Sequence, residues 1–189
     1  MISLENEFSA LLDTCTLVPI SLCDLMLRLA ESPALYTPKW SHQILAELER
    51  TLRKEKFNLS QEKAAYRIAC MKSAFPEAAI LGYESLVPSM ANSPEDRHVL
   101  AAGVFGKVDA IVTLNSRDFP SEILRKFGIR RLTPDEFLVD QWRLDPILVR
   151  RRVAEQAIDC KKDIDTHLRL LNRMVPDFAA LVRVASKIG

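Results

Sequence analysis

The chain has 189 residues, enough for one ordinary domain or for one domain with an appendage. It is 48% hydrophobic and 27% charged, which excludes whole-chain disorder, and its 5 glycines and 10 prolines recur at no fixed period, which excludes collagen-like and low-complexity chains. A net charge of +1 announces neither a nucleic-acid nor a membrane partner through bulk electrostatics.

In chain order, Phe8 to Leu12 is a short apolar run ending at Asp13, and it predicts a buried strand. Ile20 to Ala30 carries Leu22, Leu25, Met26 and Leu29 on one face and predicts a helix. Ala34 to Tyr36 reads as a second short strand before Pro38. Ser41 then caps a predicted helix with Ile44, Leu45, Leu48 and Leu52 on one face, and another follows from about Gln61 to Ser73. Ser93-Pro94-Glu95-Asp96 combines a hydroxyl cap, a proline at the first helical position and early acids, so it predicts a helix running to Phe105 and stopping at Gly106. Asp109 to Leu114 is β-branched and apolar, a buried strand. A short helix from Ser121 to Phe127, a brief strand at Ile129 to Leu132 and a capping box at Thr133-Pro134-Asp135-Glu136 complete the alternation. Alternating strands and helices predict an α/β domain with a mostly parallel central sheet.

Past Trp142 the strand signals stop, and three amphipathic helices follow, begun by Asp145-Pro146, Asp163 and Pro176-Asp177, the last with Phe178, Leu181, Val182, Ala185 and Ile188 apolar. The boundary falls near residue 143: a body at 1–142 and a helical C-terminal extension at 143–189. Residues 141–189 hold 10 basic and 6 acidic side chains, a mildly basic addition to a mildly acidic body. The extension could seal the body, form a homodimer contact or receive a protein partner. Cys15, Cys23, Cys70 and Cys160 show no C-x-x-C spacing, MISLENEF has no basic leader region, and no apolar run reaches membrane-spanning length. The expected home is a reducing cytoplasm.

Four carboxylates stand at informative places. Asp13 ends the first strand, at the sheet edge where open parallel sheets bind ligands. Asp118 follows the strand 109–114 by four residues, at the same edge. Asp96 lies in the turn of the helix leading into that strand, and Glu47 about two turns into the helix after Ser41. Oxygen donors from four separated segments suit a hard cation such as Mg²⁺ or Mn²⁺. Like charges brought together repel unless a cation neutralises them. Metal-assisted phosphodiester hydrolysis is the chemistry such a cluster performs, without a nucleophilic side chain. On composition alone, Asp118 serves equally well as a helix-entry residue, and an acid at Asp96 also suits the helix dipole.

The segments LLDTCTLVPI, SHQILAELERTL, SPEDRHVLAAGVFGKVDAIVTLNSRDFP and LTPDEF occur in the order of the PIN-domain nucleases, which the chain resembles over about residues 8–140, close to the VapC-type toxin ribonucleases. The resemblance implies a PIN-like α/β/α sandwich and an endoribonuclease, the toxin half of a type II toxin–antitoxin pair, with RNA as substrate and a cognate antitoxin as partner. It implies that Asp13, Glu47 and Asp96 ligate Mg²⁺ or Mn²⁺ and that Asp118 completes the cluster. Thr14, Ser41 and Asn115 are polar residues of second rank, Ser41 chiefly as a helix cap. Asn115 departs from the family, where an acid often follows the corresponding strand; that favours an alternative, a catalytically weakened PIN-like domain binding RNA or protein.

Other residues take plainer readings. His98, two residues after Asp96, is expected to point elsewhere on the helix. Cys15 and Cys23 read as small core residues. Asp24 could face the cleft. Arg50, Arg53, Lys54, Lys56, Lys63, Arg67 and Lys72 form either a solvated helix pair or a phosphate-tracking surface. Asp13-Thr14-Cys15-Thr16-Leu17 also partly resembles the D-x-D-x-T loop of haloacid-dehalogenase phosphatases, but Cys15 stands where the general acid is needed.

Overall fold

The computed structural model describes residues 8–54 and 56–188, with side chains to Ala185. The N-terminal segment 1–7, Glu55 within the basic stretch and the side chain of Ile188 therefore lie outside the described residues. The strands are β1 (Ser9–Leu12), β2 (Thr37–Ser41), β3 (Ala79–Ile80), β4 (Ala110–Val112) and β5 (Arg130–Leu132). The helices are α1 (Thr14–Leu17), α2 (Ile20–Ala30), α3 (His42–Leu52), α4 (Gln61–Ala74), α5 (Arg97–Phe105), α6 (Ser121–Arg125), α7 (Pro134–Leu144), α8 (Pro146–Asp159), α9 (Ile164–Leu171) and α10 (Pro176–Ile188). Short 3₁₀ turns occupy Pro76–Ala78, Glu84–Ser89 and Pro94–Asp96.

All strand pairs are parallel, in the order β3-β2-β1-β4-β5. Helices flank this sheet, and the architecture is the PIN-like α/β/α sandwich. Covering both faces explains why the central strands carry continuous apolar runs rather than alternation. Ala10, Leu11 and Leu12 of β1 and Ala110, Ile111 and Val112 of β4 are all fully buried. Each fully buried aliphatic side chain contributes about 1.5–3 kcal/mol. The chain order leaves β1 toward β2 on one side and toward β4 on the other. The crevice beyond the carboxyl ends of β1 and β4 is thus the topological switch point.

Local chemistry explains most boundaries. Ser41 Oγ accepts the Ile44 amide at 3.2 Å and starts α3, whose apolar stripe Ile44, Leu45, Leu48 and Leu52 is buried. The Thr133–Glu136 capping box forms in full and launches α7. Gly106 closes α5, and an added Cβ there would stand 2.6 Å from Ile80 Cδ1 and force that side chain to move.

Two expectations need correction. The strand read at Ala34–Tyr36 lies later, in β2, and runs through Pro38. Proline is tolerated there because the Thr37 amide donates to Phe8 on the β1 side, so residue 38 faces the other side, where β3 begins pairing only at Trp40. Ser93 makes no side-chain cap; Pro94–Asp96 form a 3₁₀ turn, and α5 proper begins at Arg97. The two residues of β3 carry too little pattern to be seen in the sequence.

The helices after Leu144 share the core of the sheet domain. Val149, Val153, Leu168, Leu171, Phe178 and Val182 are buried in the same apolar cluster as β1 and β4. Gln156 donates to Ser21 O and Asp24 Oδ2, joining α8 to α2, and Asp135 Oδ1 accepts the Phe178 amide, joining α7 to α10. No described helix is long and apolar enough to cross a membrane.

Candidate active site

Parallel register carries Leu12 beside Val112, so the next residues, Asp13 and Thr113, leave β1 and β4 side by side. Asp13 is 6% exposed and occupies the N-cap position of α1 without using its carboxylate to cap. Its Oδ2 instead accepts the Thr113 hydroxyl at 2.7 Å and the Cys15 thiol at 3.1 Å. Cys15 Sγ in turn accepts the Leu114 amide at 3.1 Å. Burial and then the charge of Asp13 push the Cys15 thiol up to about 12, so it stays protonated and remains a donor. Cys15 is therefore a half-buried part of the crevice floor rather than a core residue, whereas Cys23 is buried in the core as expected.

Glu47 projects from α3 toward the same region. Thr14 Oγ1 donates to its Oε2 at 3.3 Å, and Gln43 Nε2 to its Oε1 at 3.3 Å. His98 Nε2 stands 3.1 Å from Oε1, and Arg50 Nη2 lies 3.9 Å away. Burial raises the Glu47 carboxyl, but the contact and charge of His98, with Gln43 and Thr14, outweigh it and hold the group below its ordinary value. Ser41, fully buried, spends its oxygen on the α3 cap.

Asp96 ends the 3₁₀ turn before α5 and makes no cap of its own. Asn115 Nδ2 approaches its Oδ2 at 3.4 Å, while the Asn115 amide donates to Thr113 Oγ1 at 2.9 Å. Burial and the charges of Asp13 and Asp118 push the Asp96 carboxyl up to about 6, with His98 opposing and Glu47 adding to the rise. The four carboxylates thus share one electrostatic field, Asp118 joining it by charge. Among the described residues, no three His, Cys, Asp or Glu side chains stand close enough to hold an ion as they lie. The cluster is open, and its oxygen donors, with four acids against the nearby His98 and Arg50, fit a hard divalent cation held partly through water.

His98 and Thr113 are the residues that sequence reasoning misses. Two residues along a helix point to different faces, which argues His98 away from Asp96. Yet Asp96 precedes α5 in a turn of different pitch, so that geometry does not apply. His98 is 4% exposed and shares a face with Ala101 and Ala102, a spacing that marks it as buried. Thr113 is signalled by its place as the residue following the last paired position of β4. Asp24 faces away, held by Arg28 and Gln156. Arg67 leaves the basic surface: its guanidinium donates to Leu17 O and Val18 O, behind Asp13.

A protein of Mycobacterium tuberculosis (strain ATCC 25618 / H37Rv), named "Putative ribonuclease VapC50", is 37% identical to this chain over 109 residues, covering 56% of the chain and 64% of the relative. The chain therefore spans less than two thirds of that relative's length. No protein-family model matches the chain. The relative bears out the resemblance to the VapC-type PIN-domain proteins.

Proposed function

We propose that this chain is an endoribonuclease that hydrolyses RNA phosphodiester bonds with Mg²⁺ or Mn²⁺, and that it is the toxin of a type II toxin–antitoxin pair. The observation that supports this reading is the gathering of acids at the switch point: Asp13 and Thr113 leave β1 and β4 side by side, Asn115 ties Asp96 to the same edge, and burial, then the charges of Asp13 and Asp118, raise the Asp96 carboxyl. The name of the relative points to the same activity.

Asp13, Glu47, Asp96 and Asp118 would hold the ion. When bound, it would lower the pKa of an attacking water and stabilise charge on the leaving oxygen. Thr113 and Cys15 fix the Asp13 carboxylate from two sides, and Thr14 and Gln43 orient Glu47. Asn115, carrying no charge, orients the Asp96 carboxylate or a scissile phosphate. Exposed Arg50, 3.9 Å from Glu47 on α3, and exposed Arg53 and Lys54 just past the end of that helix track the RNA backbone. A cognate antitoxin restrains the activity in the cytoplasm.

A second reading, a PIN-like domain that binds RNA or protein with weakened catalysis, is favoured by the amide at Asn115 alone. Cleavage of labelled RNA by the full chain, with EDTA, Mg²⁺ or Mn²⁺, separates the two. Asp13→Asn and Asp96→Asn each lower metal-dependent cleavage by roughly 10²–10³-fold and relieve growth inhibition, with the fold intact by circular dichroism. Unchanged cleavage in both variants overturns the nuclease reading.

A further inference from the structure

We infer that His98 adds a nitrogen donor to the acidic cluster, so that the site selects a first-row transition ion over Mg²⁺. The inference rests on the metal-site reading above and goes beyond it, since the resemblance assigns only oxygen ligands.

Three observations carry it. His98 is 4% exposed, held on α5 with its ring turned toward Glu47 of α3. Neither ring nitrogen has a hydrogen-bond partner among the described residues. The 3.1 Å contact between Nε2 and Glu47 Oε1 is an ion-pair contact without hydrogen-bond alignment. Nε2 meets Glu47 only through this ion-pair contact and Nδ1 meets no partner, so the buried imidazole is under-satisfied in a way that costs free energy. Two neighbouring ligands of one octahedral ion, each about 2.1 Å from it, stand about 3 Å apart. The spacing between Nε2 and Oε1 is that of adjacent ligands.

The charge environment agrees. His98 and Glu47 both act on Asp96, so the imidazole lies inside the field of the carboxylates. Mg²⁺ takes oxygen almost exclusively, whereas imidazole suits transition ions, so a nitrogen beside carboxylates tilts selection toward the latter. Of the other two histidines, His42 is exposed and 3.9 Å from Glu84, and His167 contacts Gln156 at 2.7 Å beside α8.

The test uses the full chain with Mn²⁺ as probe. Electron spin-echo envelope modulation of the Mn²⁺ complex should show nitrogen-14 coupling that shifts on nitrogen-15 histidine labelling. His98→Gln should abolish it, and His42→Gln should not. By calorimetry, His98→Gln should lower the ratio of Mn²⁺ to Mg²⁺ affinity roughly tenfold. Mn²⁺ bound without histidine coupling, or an equal loss of both ions in His98→Gln, overturns the ligand role and leaves the carboxylate site standing. No Mn²⁺ binding at all overturns the metal site and this inference together. The labelled wild-type spectrum decides the matter even if the variant fails to fold.

Discussion

Thr113 donates its hydroxyl to Asp13 Oδ2 at 2.7 Å, and so ties the carboxyl end of β4 to that of β1 across the middle of the sheet. The same hydroxyl oxygen accepts the Asn115 amide, so one buried group orders both sides of the crevice. Hydrogen bonds to charged groups contribute about 1.5–3 kcal/mol. Thr113→Val keeps the shape of the strand residue and removes the hydroxyl. It should cost about 1.5–3 kcal/mol in urea unfolding and weaken divalent-ion binding. Thr113→Ser should restore both.

Asp96 contributes its own pH dependence to the stability of the metal-free protein. Its carboxyl, raised by burial and then by Asp13 and Asp118, titrates at about 6 in the folded chain against an ordinary value of 3.8. The folded state therefore holds the proton over that interval while the unfolded chain gives it up. The contribution of Asp96 to stability falls as pH rises from about 4 through 6, because at this group the unfolded state then binds fewer protons than the native one. Glu47 and His167, whose values are lowered, act the other way, so the Asp96 part is read as a difference: in EDTA, the Tm of Asp96→Asn relative to wild type should rise across this window. Saturating Mn²⁺ should flatten this rise, by placing positive charge among the carboxylates. A Tm difference between wild type and Asp96→Asn that stays constant in EDTA from about pH 4 to 7 contradicts the raised Asp96 carboxyl.

The sheet is legible in the sequence because buried parallel strands need unbroken apolar runs, and LLD and DAIVTL supply them. Caps are legible where their chemistry is local, as at Ser41 and Thr133. The separated acids are legible through motif order, which composition alone does not provide. His98 escapes because helical geometry does not extend through a 3₁₀ turn that only the coordinates reveal. Thr113 escapes because its role depends on strand register, set by pairing over a separation of 100 residues. Pro38 misleads the placement of β2, since its missing donor matters only on the side where no strand pairs. In each case the missing information is tertiary.

Arg67 separates structure from nucleic-acid contact within one basic stretch. Its guanidinium satisfies Leu17 O and Val18 O at the end of α1, the helix that follows Asp13 directly. Arg67→Met keeps the apolar stem and leaves those carbonyls without that donor. It should cost about 1–3 kcal/mol of stability and leave the salt dependence of RNA binding unchanged. Replacing Arg50, Arg53 and Lys54 together with Gln should do the reverse. Tm should move little, and the slope of log affinity against log salt should shrink by about 0.7 for each phosphate no longer neutralised.

The C-terminal helices should prove inseparable from the sheet domain in a truncation. Ending the chain at Leu144 removes Val149, Val153, Leu168 and Phe178, which are buried against the rest. It also strips Gln156 from Asp24 and Ser21, and Arg28 loses its 2.7 Å partner Asp159. The faces of α2 and α7 so exposed form a contiguous apolar patch of the kind that drives aggregation. The truncated chain should be insoluble or should unfold without cooperativity, whether or not RNA cleavage resides entirely in the first 144 residues. Gln156→Leu asks the same question more gently. It should cost about 1–3 kcal/mol by leaving the buried His167 ring and the Ser21 carbonyl without their Gln156 partner. A soluble, cooperatively folding 1–144 fragment would show instead that this packing is an accessory to a self-sufficient body.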